Sequence, residues 1–215
     1  MTERRKAKRR YRAPKREMAA AQTREAIVRA AKKLFEEHGW AGTTMNAVAE
    51  VAGVSAKTVE AVFGTKAALL RVAVEYAIRG DLDPVPMPQR ARVECIEAAP
   101  DAAAMLRLHA AHLRTINARS ARLAAAVEQA SGADSDVAAL WHEMNRNRTY
   151  AVRWAAETFL AKPGRRGGLR RRDVEAIFWV ALDWGTYRTL TQHAGRTPDE
   201  VERWLRSYYQ SALLP

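Results

Sequence analysis

Cysteine is almost absent: the 215-residue chain has one, Cys95. A lone thiol can form neither an intramolecular disulfide nor a cysteine-rich zinc site, which excludes a disulfide-stapled secreted scaffold and a zinc finger. Long apolar runs are missing as well. No stretch approaches the roughly 20 consecutive apolar residues that span a bilayer, and no apolar segment follows the basic N-terminus. Membrane insertion and export are not expected, and a reducing cytoplasm is. The sequence also lacks an alternating strand pattern, an internal repeat, a phosphate-binding loop, a Ser/His/Asp series and a metal-ligand spacing. No catalytic residue, metal ligand or cofactor is expected, and the chain does not read as an enzyme.

Acidic residues are outnumbered, 24 against 36 lysines and arginines, for a formal charge of +12. The excess is concentrated at two places. Residues 1 to 16 hold nine basic side chains and one acid, Glu3, and Arg165 to Arg172 hold five arginines and no acid, so the rest of the chain sums to −1. An arm this hydrophilic cannot bury enough surface to fold alone, so residues 1–17 are expected to be disordered until they meet a partner. A basic arm on a nearly neutral body suits wrapping phosphate or entering a groove of nucleic acid. A solubilising tail is the plain alternative.

With 48% hydrophobic residues the remainder can build a core. Ile27, Ala30, Ala31, Leu34 and Phe35 recur at helical spacing up to Gly39 and predict a first amphipathic helix. Thr43 and Thr44 can cap a short second helix that turns Met45, Val48 and Ala49 inward and ends at Ala52-Gly53-Val54. Ser55 caps a third with Val59 and Val62 inward, closed by Phe63-Gly64, and a fourth runs from Thr65 to about Arg79. Two helices this short, joined by a glycine turn, need their neighbours as a platform, which is the helix-turn-helix arrangement. Asp81 to Pro88, with three prolines, forms the expected boundary. Helices are predicted beyond it over 101–118, 134–161, from Asp173 through an apolar stretch 176–184, and from a capping box at Thr197-Pro-Asp-Glu200, the last with Val201, Trp204, Leu205, Tyr208 and Leu213 inward. The fold class is all-α: an N-terminal helix-turn-helix domain (18–80) followed by a larger helical domain (89–215).

Between residues 24 and 70, the string Phe35, Gly39, Thr43-Thr44, Val48-Ala49, Ala52-Gly53-Val54-Ser55, Thr58-Val59, Phe63, Lys66 and Leu69 resembles the TetR family of bacterial transcription regulators. The resemblance implies a homodimer whose third helices enter successive major grooves of a palindromic double-stranded operator, with release by a small-molecule effector bound in the C-terminal domain. An activator, or an effector-independent regulator of the same fold, is the alternative. Carried over by position, Thr44 would meet a phosphate at the start of the second helix, Ser55, Ala56, Lys57 and Thr58 would lie at base edges, and Lys66 matches the family's phosphate-contacting lysine. The chain departs from the family at Glu60, where Tyr is usual, and at Val62. An acid beside phosphate is unfavourable; Glu60 can accept from a cytosine amine or pair with Lys57 at i, i+3, and the spacing favours the pair. Residues 17 to 80 hold eight basic and seven acidic side chains. The arm, and Arg9, Arg10, Arg12 and Arg16 above all, is therefore expected to supply much of the attraction to DNA, along phosphates or in the minor groove.

For the effector pocket, mostly apolar with a few polar groups, the candidates are Met105, His109, His112, Trp141, Met144, Asn145, Arg148, Trp154, Phe178, Asp183 and Tyr187. His109 and His112 read as satisfied buried histidines rather than metal ligands, since no third ligand is evident. Arg148 and Asp183, charges on apolar stripes, need partners and can serve each other. The apolar stretch 176–184 and the aromatic face of the last helix fit the dimer interface that the resemblance implies, with Trp179, Trp184, Trp204 and Tyr208 as its candidates. The arginine loop reads as solvated.

Overall fold

The structure, a computed structural model, describes residues 3–215, with side chains from Arg16 onward. Arg9, Arg10 and Arg12, and the expectations for the arm up to Lys15, lie outside the described residues. Among the described residues the chain is helical and has no strand. It forms two compact units, residues 1–76 and 77–215. The division falls inside the fourth helix, upstream of the proline-rich segment expected to mark it.

The first unit comprises α1 (Glu3–Gly42), α2 (Met45–Ala52), α3 (Ala56–Phe63) and most of α4 (Lys66–Arg79). Gly39, at φ 65, interrupts α1 where the apolar periodicity ends. Thr44 caps α2 by accepting from the Ala47 amide at 3.1 Å, and Ser55 caps α3 by accepting from the Thr58 amide at 3.1 Å. Between them Gly53 takes φ 70, ψ 32, while the Gly53 and Val54 amides donate to the Glu50 and Ala49 carbonyls. This Schellman turn requires the left-handed conformation that glycine adopts without a Cβ penalty. Ile27, Val28, Ala31 and Phe35 of α1 are buried, as are Val48 and Ala49 of α2 and Val59 and Phe63 of α3. Two inward assignments are corrected. Val62 is 37% exposed because Phe63 takes the inner position one residue on, and Met45 is half-buried rather than buried.

An aromatic and cationic stack ties the unit's ends together. Phe35 stacks on Trp40 at 6.0 Å, and the Lys66 ammonium lies 3.9 Å from the Trp40 ring centroid. The same ammonium donates to the Trp40 and Thr43 carbonyls at 2.9 and 3.1 Å. The buried Thr43 hydroxyl donates to the Gly39 carbonyl at 2.8 Å. Lys66 thus adds a charged donor to carbonyls at the end of α1, beyond the interruption at Gly39, where helical partners run out.

The second unit adds α5 (Ala91–Glu97), α6 (Ala102–Ala130), α7 (Ser135–Leu160), α8 (Arg171–Ala181), α9 (Trp184–Arg188), a π-helical turn (Thr189–His193) and α10 (Pro198–Leu213). Asp101, Asp134 and Asp183 cap α6, α7 and α9, and Thr197 with Glu200 forms the predicted capping box on α10. The sequence pattern missed α5 and ended α6 twelve residues early, because the face of α6 beyond Ala118 is largely alanine. The helix expected to run unbroken through 176–184 is two helices. The Asp183 carboxylate accepts from the Thr186 amide at 2.7 Å and from its hydroxyl at 3.1 Å, which stops α8 at Ala181 and starts α9. That stretch is not buried all round either, since Ala176 and Val180 are exposed.

His109, Phe178, Phe159 and Tyr209 form the centre of this unit. The Tyr209 hydroxyl and His109 Nδ1 share a hydrogen bond of 2.8 Å, and Phe178 meets the His109 ring edge-on at 5.2 Å. Tyr209, not the predicted Tyr208, therefore faces inward from α10; Tyr208 is half-buried and stacks on Trp204 at 5.4 Å. Further along α6, Arg119 donates to the Ile78 carbonyl at 2.8 Å, and a Cβ on Gly80 would meet its guanidinium. Gly80 has φ 94, a conformation that favours glycine, and a side chain there would also displace the guanidinium. Arg90 closes the proline-rich segment with a two-pronged bond to Asp81 at 2.7 and 2.8 Å, which holds the Asp81 carboxyl down to about 2.

Two outcomes are expected in urea titrations. Lys66→Met should lower stability by about 1–3 kcal/mol, since it removes the ammonium's bonds to both carbonyls and its contact with the Trp40 ring; an unchanged midpoint would refute the role given to the ammonium. The second concerns pH. Burial, with His112 beside it, holds His109 down to about 3, and burial, with Arg92 and Arg119, holds His112 down to about 4. In the unfolded chain both titrate near 6.5. Between these values the unfolded chain takes up protons that the folded chain refuses, so stability is full above about pH 6.5 and falls as the pH drops. The midpoint should decrease from pH 7 to pH 5, and His112→Gln should flatten that decrease.

Candidate functional site

The outer face of α3 follows from its inner one. With Val59 and Phe63 turned into the core, helical geometry puts Lys57, Ala61 and Gly64 on the far side and Glu60 on the flank next to Lys57, and all four are exposed. Ser55 is exposed, whereas Ala56 and Thr58 are half-buried, and the Ser55 and Thr58 hydroxyls bond to each other at 2.8 Å. Arg24 of α1 lies over the Phe63 ring at 4.7 Å, which fixes the end of α3. Thr44 is exposed at the start of α2, beside amides that have no intrahelical acceptor. Lys66 is engaged with the α1 carbonyls described above. Arg16 is exposed. The pair favoured between Lys57 and Glu60 does not form: among the described residues, neither side chain makes an ion pair.

In the second unit the candidate pocket residues fall into two groups. Met105, His109 and Phe178 are fully buried, and Trp154 packs on His109 at 6.3 Å while donating to Glu97 at 2.6 Å. His112, Met144 and Tyr187 are buried as well. The other group gathers about Arg148. Its guanidinium donates to Asp183 and Asn145, both at 2.9 Å, and lies 5.1 and 5.5 Å from the Trp179 and Trp184 rings. Trp141 adjoins Trp184 at 6.3 Å, and the Trp184 ring nitrogen donates to the Ser120 hydroxyl at 3.1 Å. The two charges that needed partners thus serve each other, beside the middle of α7 where α8 ends and α9 begins.

A cleft of about 300 Å³ in this unit lies elsewhere, between α6 and α10, walled by Leu106, Tyr209 and Leu214 with Arg107 and Arg206 in its lining. Sequence reasoning did not find it, since none of these residues was among its candidates. His109 is committed to Tyr209, and among the described residues no three His, Cys, Asp or Glu side chains gather to hold a metal.

Of the interface candidates, Trp184 is buried within the chain, while Trp179, Trp204 and Tyr208 are half-buried; Val180, which follows Trp179, is exposed. The arginine loop is bonded rather than bare. Arg166 donates to the Leu214 and Ser211 carbonyls at the end of α10, Arg165 donates to Leu160 at the end of α7, Arg170 pairs with Asp173, and Arg171 pairs with Glu157 and Glu175. Cations at helix C-termini meet the negative end of the dipole, so the cluster has a structural use.

Residues 27–73 match the family model of the bacterial regulatory proteins, tetR family. No curated protein matches the chain. Among solved structures, a protein described as a TetR-family transcriptional regulator from Rhodococcus sp. is 16% identical, with a TM-score of 0.65 over 89% of this chain and 98% of its own. NalD, the secondary repressor of the MexAB-OprM multidrug efflux pump in Pseudomonas aeruginosa, is 20% identical, with a TM-score of 0.63 over 89% and 96%. A protein described as a transcriptional regulator from Saccharomonospora viridis, solved in complex with choline, is 15% identical, with a TM-score of 0.64 over 89% and 97%. In the described residues no helix is long and apolar enough to cross a membrane. The chain therefore has the fold of the TetR-family transcriptional regulators, with that family's N-terminal sequence signature at residues 27–73.

Proposed function

We propose that this chain is a transcriptional repressor that binds a palindromic operator as a homodimer and releases it when a small molecule occupies residues 89–215. The observation that carries the reading is α3, capped at Ser55, locked from beneath by Val59 and Phe63, and bare on the side that carries Lys57 and Glu60. A helix of this width fits the major groove, and a two-fold dimer sets two of them about one helical turn apart. Within residues 18–80, Thr44 meets a phosphate at the start of α2, Lys66 steadies the turn that presents Thr44, and Ser55, Ala56, Lys57 and Thr58 face the bases. Residues 1–17, with Arg9, Arg10, Arg12 and Arg16, supply the electrostatic attraction that the near-neutral helix-turn-helix unit lacks. NalD is named a repressor, and the Saccharomonospora protein was solved with a small molecule; both facts make this reading the natural one for the fold. The effector enters at the Arg148 group, where charge and indole faces are half-exposed, rather than in the closed centre around His109. Exposed Val180, with Trp179, Trp204 and Tyr208, forms the two-fold interface.

Footprinting on the DNA flanking the chain's own gene, at two salt concentrations and with or without residues 1–16, should show a protected palindrome. Removing the arm should weaken binding and make the salt dependence shallower by about 0.9 in the log-log slope for each phosphate that the arm had neutralised. Unchanged affinity and slope would remove the arm from the interface. Trp204→Glu should yield monomers in sedimentation velocity with weakened operator binding; a persisting dimer would place Trp204 outside the interface.

A further inference from the structure

We infer that Glu60 is a base-reading residue, which accepts a hydrogen bond from a cytosine amine and so selects a C·G pair at one position of each half-site. The inference rests on the DNA-binding reading above. Glu60 occupies the middle of the eight-residue α3, exposed on the flank beside Lys57, while Val59 and Phe63 are buried. Its exposed neighbours beyond Lys57 are Ala61 and Gly64, which add at most a methyl group and let the helix backbone approach a groove floor closely. A carboxylate on an interface with polyanionic DNA is costly unless something compensates it. An intramolecular cation would do so, and Lys57 at i−3 is the one on its own helix face, yet no ion pair joins them. The compensation must then come from the other side of the interface.

The chemistry narrows that partner. An ionised carboxylate only accepts. The major groove presents two exocyclic donors, the N4 amine of cytosine and the N6 amine of adenine. Adenine sets its N7 acceptor beside the amine, where it repels the second carboxylate oxygen, whereas cytosine carries only a C–H there. The N-terminal part of a recognition helix carries the side chains that reach base edges, and Glu60 stands exposed one turn beyond Lys57, within that reach. Both ends of α3 are pinned, at Ser55 by its capping bonds and at Phe63 by Arg24, so the carboxylate is presented from a fixed backbone.

The test is selection of binding sites from a randomised duplex pool by the full-length wild-type protein, Glu60→Gln and Glu60→Ala. Position 60 is exposed, so both variants should fold, and their urea midpoints check this. The wild-type protein should enrich a palindrome with cytosine at one position per half-site, preferred by about tenfold or more over the other bases. Glu60→Gln should move that one position to adenine, since an amide can donate to N7 and accept from N6, and should leave the rest of the motif intact. Glu60→Ala should erase the preference there. A wild-type motif that neither variant changes overturns the inference while leaving the DNA-binding reading in place. Uniformly tighter binding by Glu60→Ala to all sites overturns it too, since it would place the carboxylate beside phosphate. A pool that yields no motif at all overturns both.

Discussion

Burial of Val48, Ala49, Val59 and Phe63 beneath α1 and α4 is the constraint from which the surface chemistry of the first unit follows. Eight-residue helices are too short to persist in water, where nucleation costs more than so few backbone bonds return. α2 and α3 exist because four side chains face a core built from Ile27, Val28, Ala31 and Phe35, and because Thr44, Gly53 and Ser55 satisfy the ends that shortness leaves open. Once Val59 and Phe63 are committed inward, the helical repeat leaves no choice about which side chains point out. Lys57 and Glu60 are outward for the same reason that Phe63 is inward.

The second unit solves a different problem, a long core that contains polar groups. His109 and Tyr209 are both fully buried, and each would cost free energy if left alone; their single shared hydrogen bond answers both, while Phe178 and Trp154 close over the imidazole. The same bond decides which tyrosine of α10 is inside. Arg119 does comparable work further along α6, where it lies against Gly80 and satisfies the last turn of α4.

Capping residues were the most legible part of the sequence. Thr44, Ser55 and the Thr197-Glu200 box are all read from local chemistry and all act as expected. Positions that depend on a distant partner were not legible. Tyr208 and Tyr209 are indistinguishable until His109, a hundred residues away, selects one. The break at Asp183 was hidden because an aspartate inside an apolar run reads as a charge in need of a partner; Asp183 does pair with Arg148, and it caps α9 as well. The arginine loop looked like an unpaired cluster, since its acceptors are the helix-end carbonyls of Leu160, Ser211 and Leu214, which no side-chain pattern announces. At the candidate DNA interface the resemblance located the helix, but not what Glu60 does there: the i, i+3 spacing argued for a pair with Lys57 that the folded chain does not make.

That unmade pair gives the proposed interface its division of labour. Residues 17 to 80 carry nearly balanced charge, and the arm ahead of them carries a net +8, so a polyanion is drawn chiefly by the arm, without regard to sequence. Non-specific attraction of this kind raises the background against which any operator must be found. A carboxylate on α3 works in the opposite direction: it penalises every duplex that does not answer it with a donor, and on the right base pair it loses little. Placing the attraction on one segment and the penalty on another lets each change without the other. A chain whose recognition helix bore the positive charge instead would gain affinity for all DNA and discriminate less among sequences.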